Sequence, residues 1–313
     1  MKSAFARCDQ QLRRLNSALQ LRFYGKKWGV KDESKHMPSY FTLHLLPDLV
    51  SAMPIDCSIT TCRISQNEFK ELAKEVMRHV FDIHNEFGRF FDEGVYKREL
   101  AGLMPDIKLE SAITLTNGNF SKTYFVDVLV NNSGLFEFKA ADKIHSRHRG
   151  QTLNYLLLLD LAHGKVINVR PESVEHEFVN CPSRLNDLRN PEIFDQEWDR
   201  RIAGTDLFRQ ILMSLITDWG AGLETNLYEE ALTHFLGGKS NVVVPISVRG
   251  RNGFLMNQRM RMAAPNVTFK ITALQERLND FASHASKLIS HTPLEAMLWA
   301  NITQRSISFT TIK

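Results

Sequence analysis

Residues 125–142 read FVDVLVNNSGLFEFKAAD, two short apolar runs folded about a polar turn, with a carboxylate inside each run and a lysine after the second. The Asn-Asn-Ser-Gly segment between alternating runs is hairpin turn chemistry and predicts an antiparallel pair. Side chains two apart in a strand share a face, so Glu137 and Lys139 point one way while Phe136 and Phe138 point the other. Asp127 shares its face with Phe125 and Leu129. A turn symmetric about Asn132 sets Asp127 across from Glu137, with Cβ atoms roughly 5 Å apart.

Two facing carboxylates repel unless a cation sits between them. A hard divalent ion with oxygen ligands at about 2.1 Å suits such a pair, and magnesium is the natural candidate. A lysine one pleat further on would stabilise charge developing on a phosphate or lower the pKa of an attacking water. Together the three groups would serve metal-assisted phosphodiester hydrolysis. The bare D-x9-E-x-K spacing points first to a plainer arrangement, an outward aspartate and a solvated Glu-Lys pair, because short charge patterns are common. What surrounds it shifts the balance.

Upstream, Phe69, Leu72, Ala73, Val76, Val80, Ile83 and Phe87 recur at helical spacing and predict a helix with one buried face that stops at Gly88. A shorter helix is expected from Glu93 to Leu103. The segments IKLESAITLT, KTYFVDVLV and LFEFKAA, separated by NGN and NNSG, predict an antiparallel meander. Downstream, RHRGQTLNYLLLLDLAHG reads as a helix with a glycine stop, KVINVR as a strand and HEFV as a last short strand. Helix, meander, helix and strand in that order imply an α/β (mixed α+β) class, a mixed sheet flanked by helices.

With these neighbours the stretch resembles the GxxExxY proteins of the PD-(D/E)XK nuclease superfamily. HNEFGRFFDEGVYKREL resembles that family's helix, glycine turn and E-x-x-Y segment; YFVDVLV resembles its metal-aspartate strand, FEFKA its E-x-K strand, and HRGQTLNYLLLL its H-x-x-Q-x-x-N-Y-L helix. The likeness runs from Phe69 to Val179 and implies a restriction-endonuclease-like core. By position it implies that Asp127 and Glu137 are metal ligands, that Lys139 is the catalytic lysine, and that Glu93 completes or orients the metal shell. It also places Gln151 in the catalytic set, with His148 bordering the active site three residues away on the same helix face. Around the ion, Lys143, Arg147 and Arg149 would grip phosphates, unless they are a solvated basic face. Tyr96 reads as core, and Asn154 and Tyr155 as helix–sheet contacts. Two departures stand out: Phe90 occupies the family's first glycine position, with Gly88 close enough to restore the bend, and Val126 replaces the namesake proline.

A second copy is expected further on. DWGAGLETNLYEEAL (218–232) resembles EFGRFFDEGVYKREL, pairing Gly88 with Gly220, Phe87 with Trp219 and Tyr96 with Tyr228. FKITAL falls opposite FEFKAA, and LEAMLWANI opposite HRGQTLNYL. In this copy Glu93 becomes Thr225, Asp127 becomes Met260, Glu137 becomes Lys270 and Lys139 becomes Thr272, so the chemistry is gone. The expected organisation is a poorly ordered extension over 1–62, a nuclease-like domain over 63–182, a polar linker over 183–202 and a degenerate repeat over 203–313. Such a repeat would mimic the partner in a nuclease dimer, making an intramolecular pseudo-dimer, or offer a basic surface through Arg249, Arg251, Arg259 and Arg261.

The totals exclude little. Of 313 residues, 43% are hydrophobic and 24% charged, with a net charge of +4, which permits an anionic partner without requiring one. Four cysteines without a C-x-x-C pair argue against a disulfide framework or structural zinc and fit a reducing, cytoplasmic setting. No apolar run approaches the length needed to span a bilayer. The first 40 residues carry nine Lys/Arg against three acids, which fits a basic amphipathic helix like a transit peptide, a plain extension, or a start at Met53. The expected function is a magnesium-dependent nuclease, with manganese as an alternative ion, acting on DNA in preference to RNA. The competing reading is a non-catalytic nucleic-acid-binding or assembly protein that keeps the fold. Absence of G-x-S-x-G, P-loop and H-E-x-x-H patterns removes other common hydrolases.

Overall fold

Helix α1 (Gln66–Phe87) begins at a reciprocal cap: Ser65 Oγ accepts from the Glu68 N–H at 3.3 Å, and the Ser65 N–H donates to Glu68 Oε2 at 2.7 Å. Its apolar face, Phe69 through Ile83, is buried, and it ends at Gly88 with φ +72. Residues 54–313 are described, in a computed structural model; the expectations for the basic N-terminal segment and Met53 lie outside them. Helix α2 (Glu93–Leu103) follows, then β1 (Ile55–Cys57) joins β2 (Ile107–Asn117), β3 (Phe120–Val130) and β4 (Gly134–Lys139) in an antiparallel run. Helix α3 (Ser146–Leu158) crosses over to β5 (His163–Asn168), which lies parallel to β4, and β6 (Glu175–Asn180) closes the sheet.

The β3–β4 turn is symmetric about Asn132, with Val130 paired to Gly134 and Val128 to Phe136. Asn131 and Asn132 both take left-handed backbone, which asparagine tolerates. Gly164 is not the expected helix stop but lies inside β5. Asp160, at φ 49, turns the chain instead, and the Leu161 N–H closes the helix on Leu156 O at 2.9 Å.

The second lobe repeats this order. Helices α4 (Thr205–Trp219) and α5 (Thr225–Phe235), a short α6 (Lys239–Val242), β8 (Val243–Gly250), β9 (Gly253–Ala264), β10 (Val267–Thr272), α7 (Leu278–Ser290), β11 (Ala296–Ile302) and β12 (Ser306–Ile312) follow in sequence. The sheet orders β2-β3-β4-β5-β6 and β8-β9-β10-β11-β12 match, including the parallel pair spanned by a helix, β4–β5 and β10–β11. LEAMLWANI, expected opposite the α3 helix, is therefore strand β11, the counterpart of β5; the counterpart of α3 is α7, whose residues share no pattern with it.

The segment 183–202, expected as a linker, carries the edge strand β7 (Glu192–Glu197), which pairs in parallel with β12. It also buries Leu185, Leu188, Trp198 and Ile202. The physical reason is that the two lobes share a core. Val128, Val130, Phe136 and Phe138 pack on α1 and α2, whereas Leu129, Leu135 and α3 on the other face join α4, α5 and one face of the second sheet in one apolar cluster. Helix α7 covers the outer face of that sheet, packing Ala285 and Ile289 in one cluster with Met297 and Trp299 of β11. The described residues thus stack as helices, sheet, helices, sheet, helix. Among them no helix is long and apolar enough to cross a membrane.

Candidate active site

The β3–β4 ladder stops one pair short of Asp127 and Glu137. In its place the Asp127 carboxylate takes the next backbone donor: Oδ2 accepts from the Phe138 N–H at 3.0 Å. Glu137 and Lys139 share a face of β4, and Lys139 Nζ lies 2.7 Å from Glu137 Oε1 and 3.9 Å from Asp127 Oδ2. The hairpin thus gathers Asp127, Glu137 and Lys139 in one cluster.

Glu137 is 1% exposed, and its Oε2 is buried with no hydrogen-bond partner. Burial first, and then the neighbouring charge of Asp127, push its carboxyl up to about 8, with Glu93 adding to the effect and Lys139 opposing it. Such a group is unsatisfied as it stands. A carboxylate oxygen orphaned beside a second carboxylate fits a hard cation, and magnesium commonly needs only one or two carboxylates because it keeps several waters. Among the described residues no three His, Cys, Asp or Glu side chains converge into a complete ligand set. The fit therefore rests on the Asp127–Glu137 pair.

Glu93, at the first position of α2, turns toward the same strand end, where its Oε1 accepts from the Ala140 N–H at 2.8 Å. The bend that aims it is made by Gly88, whose carbonyl accepts from the Tyr96 hydroxyl at 2.5 Å. Phe90 points into solvent at 78% exposure, so the missing glycine at that position costs the turn nothing. Tyr96 is core, with that one polar anchor.

A second lysine stands behind the cluster. Lys97 lies one turn after Glu93 on α2 and donates to Asp127 Oδ1 at 2.8 Å and to Glu110. Burial works against its ammonium, but the hydrogen bonds to Asp127 and Glu110 outweigh that and raise its pKa. Sequence reasoning missed it. The available signal was the Glu93-x3-Lys97 spacing, which puts both on one helix face.

Lys139, Arg147, His148 and Gln151 line a cleft of about 810 Å³ whose far wall is residues 222–226 and Ala273 of the second lobe. His148 is buried and accepts from the His145 N–H through Nδ1; burial, then the charge of Lys139, depress its pKa. Gln151 donates to the Tyr155 hydroxyl at 3.0 Å. Arg149 is turned away, paired with Glu177 on β6 at 2.8 Å, and exposed Lys143 does not line the cleft. Asn154 reaches across rather than down to the sheet: its Oδ1 accepts from the Glu224 N–H at 3.0 Å. Tyr124 and Lys122 also hold Glu224, so the cleft walls are tied together.

In the second lobe two fastenings recur. The Tyr228 hydroxyl donates to Gly220 O at 2.6 Å, as Tyr96 does to Gly88. Asn301 clasps the backbone of Leu274 through both amide atoms, as Asn168 clasps Ala141. The ions do not recur. Buried Glu229 of α5 holds Lys270 at 2.8 Å and Arg261 at 3.2 Å and accepts from the Ile271 N–H. With Thr225, Met260 and Thr272 at the other positions, this lobe keeps no carboxylate pair for a metal.

Residues 70–180 match the family described as the PD-(D/E)XK nuclease superfamily. Comparison with curated proteins and with solved structures finds no match.

Proposed function

We propose that the chain is a magnesium-dependent nuclease that hydrolyses phosphodiester bonds in DNA, or less favourably RNA, in the cleft between its lobes; residues 70–180 match the PD-(D/E)XK nuclease superfamily, and Lys139 lines that cleft. The observation that carries this reading is the buried Asp127–Glu137 pair with an orphaned Glu137 oxygen, closed off by the one lysine that also lines the cleft.

Asp127 and Glu137 would hold the ion, and Glu93 would orient the shell from α2. When bound, magnesium supplies Lewis-acid polarisation of the phosphate and a more acidic attacking water. Lys139 lines the cleft beside the carboxylate pair, where its ammonium would stabilise charge developing on the phosphate. Gln151, His148 and Arg147 line the wall along which the strand lies and position it.

Magnesium-dependent cleavage of a labelled oligonucleotide by the wild-type chain, lost in both Asp127→Ala and Lys139→Ala while folding persists, is the result required. Retention of cleavage in either variant would remove the reading. The non-catalytic alternative draws support from one observation, that Lys97 and Lys139 already neutralise the carboxylates. It predicts nucleic-acid binding with no cleavage of single-stranded, duplex or branched substrates at any magnesium concentration.

A further inference from the structure

The second lobe has a cavity of about 370 Å³ between its sheet and α7, with Lys270 at the position that Glu137 holds in the first lobe. Arg259, Arg261, Lys270 and His284 line it, with Glu229 as the one carboxylate. A neighbouring cavity of about 400 Å³ is lined by Arg249, Lys287 and His291; Gln258 and Leu288 line both, so the two adjoin along α7 and the β8–β9 hairpin.

Charge accounting leaves these cations unspent. Glu229, 6% exposed at its side chain, offsets at most one of its two partners, Lys270 and Arg261. Arg261 Nε is buried with no partner, and Arg259 is bonded only to the Val243 carbonyl at 3.1 Å. Between the cations the walls are apolar, with Phe281 in the first cavity and Leu255 in the second. At the hairpin tip Phe254, Leu255 and Met256 stand 60–65% exposed. Spaced cations interleaved with apolar and aromatic surface suit a phosphodiester chain with unstacked bases; a duplex offers no base faces to such walls.

We propose that this groove binds a single strand of nucleic acid through its phosphates, using cations where the first lobe has carboxylates. The groove holds the strand without metal and leaves cleavage to the other lobe. The identity of the occupant rests on the nuclease reading, but the binding does not.

The test is fluorescence anisotropy of a 5′-fluorescein oligo-dT with the full chain, in EDTA, across a range of salt. Arg259→Ala and Lys287→Ala are the variants because both side chains are exposed and neither holds a salt bridge, so the fold should survive. Each is expected to weaken binding roughly three- to tenfold and to lower the salt slope by about one. Lys74→Ala, which removes an exposed cation of α1 outside both cavities and the cleft, should bind the strand as the wild type does. Unchanged affinity and slope in the double variant, or tighter binding of duplex than of single strand, overturns the proposal. The two readings fail separately: strand binding lost in the double variant with no cleavage by the wild type sinks the nuclease and leaves the groove. Wild-type turnover of bis(p-nitrophenyl) phosphate that persists in Arg259→Ala, with strand affinity unchanged, does the reverse.

Discussion

Lys97 and Glu229 occupy the fifth position of matching helices in the two lobes, and they carry opposite charge. In the first lobe the cation comes from the helix and the carboxylate, Asp127, from the strand. In the second the carboxylate comes from the helix and the cations, Arg261 and Lys270, from strands. Even the backbone donor they satisfy is conserved in place: Asp127 accepts from the Phe138 N–H and Glu229 from the Ile271 N–H. Both lobes place a carboxylate on that donor, supplied by the strand in the first and by the helix in the second.

Removing the helix partner should therefore have unequal effects. Lys97→Met leaves Asp127 buried without its closest cation and should cost about 3 kcal/mol or more in urea unfolding in EDTA. Magnesium should restore more stability to this variant than to the wild type, because the ion replaces the lost charge. Glu229→Leu leaves Lys270 and Arg261 with 46% and 35% of their side chains already exposed, free to turn to water. Its loss should be about 1–2 kcal/mol, chiefly the unsatisfied Ile271 N–H. Equal losses would contradict the asymmetry.

Two glycines at equivalent turns should respond differently to a methyl group. Gly88 and Gly220 both have positive φ, +72 and +87, so alanine is strained at either. At Gly88 a Cβ meets nothing within 4 Å, whereas at Gly220 it would stand 2.9 Å from Leu185 O, a backbone atom. Gly88→Ala should cost about 1 kcal/mol and Gly220→Ala clearly more, with thermal unfolding as the measurement. Comparable melting temperatures would mean that the 183–202 segment does not press on the Gly220 turn at Leu185.

Much of the first lobe is legible because its signals are local. Helix α1, the meander and the hairpin register follow from periodicity and turn residues over short spans. The remainder depends on partners distant in sequence. Glu192–Glu197 looks like a polar linker because an edge strand exposes most of its side chains, and its partner β12 lies over a hundred residues away. Ala296–Ile302 is buried throughout, so it has no alternation to distinguish strand from helix. Of the site, Asp127, Glu137 and Lys139 share a hairpin and are readable together, whereas Lys97 reaches them only across the helix–sheet contact. Adjacency in sequence groups Arg149 with Arg147, but the helical turn sends it to Glu177.

Lys165 gives a pH dependence unrelated to the cleft. It is 2% exposed on β5, with Nζ 3.7 Å from the centre of the Phe178 ring and His176, whose own pKa burial and Lys165 depress, on the neighbouring strand. Burial lowers its pKa to about 8 from the ordinary 10.5. Between those values the unfolded chain binds the proton and the folded one does not, so this residue makes stability rise as pH increases through that window. The effect is about 3 kcal/mol at most, since the ring favours the charged form. Lys165→Met should be more stable than the wild type at pH 7.5, and the difference should shrink by pH 10. A difference that stays constant with pH would show that the ammonium is not desolvated.

On the nuclease reading, the orphaned Glu137 oxygen is kept for an ion that would assist phosphodiester hydrolysis. The direct measurement is the rate of hydrolysis of a labelled single strand by the wild type and by Glu137→Gln, with magnesium and with EDTA. Magnesium-dependent cleavage should fall by a factor on the order of 100 or more in Glu137→Gln, while the native state loses no stability, because burial and Asp127 already disfavour the charged carboxyl. Cleavage by Glu137→Gln at the wild-type rate, or cleavage by the wild type that persists in EDTA, would contradict it.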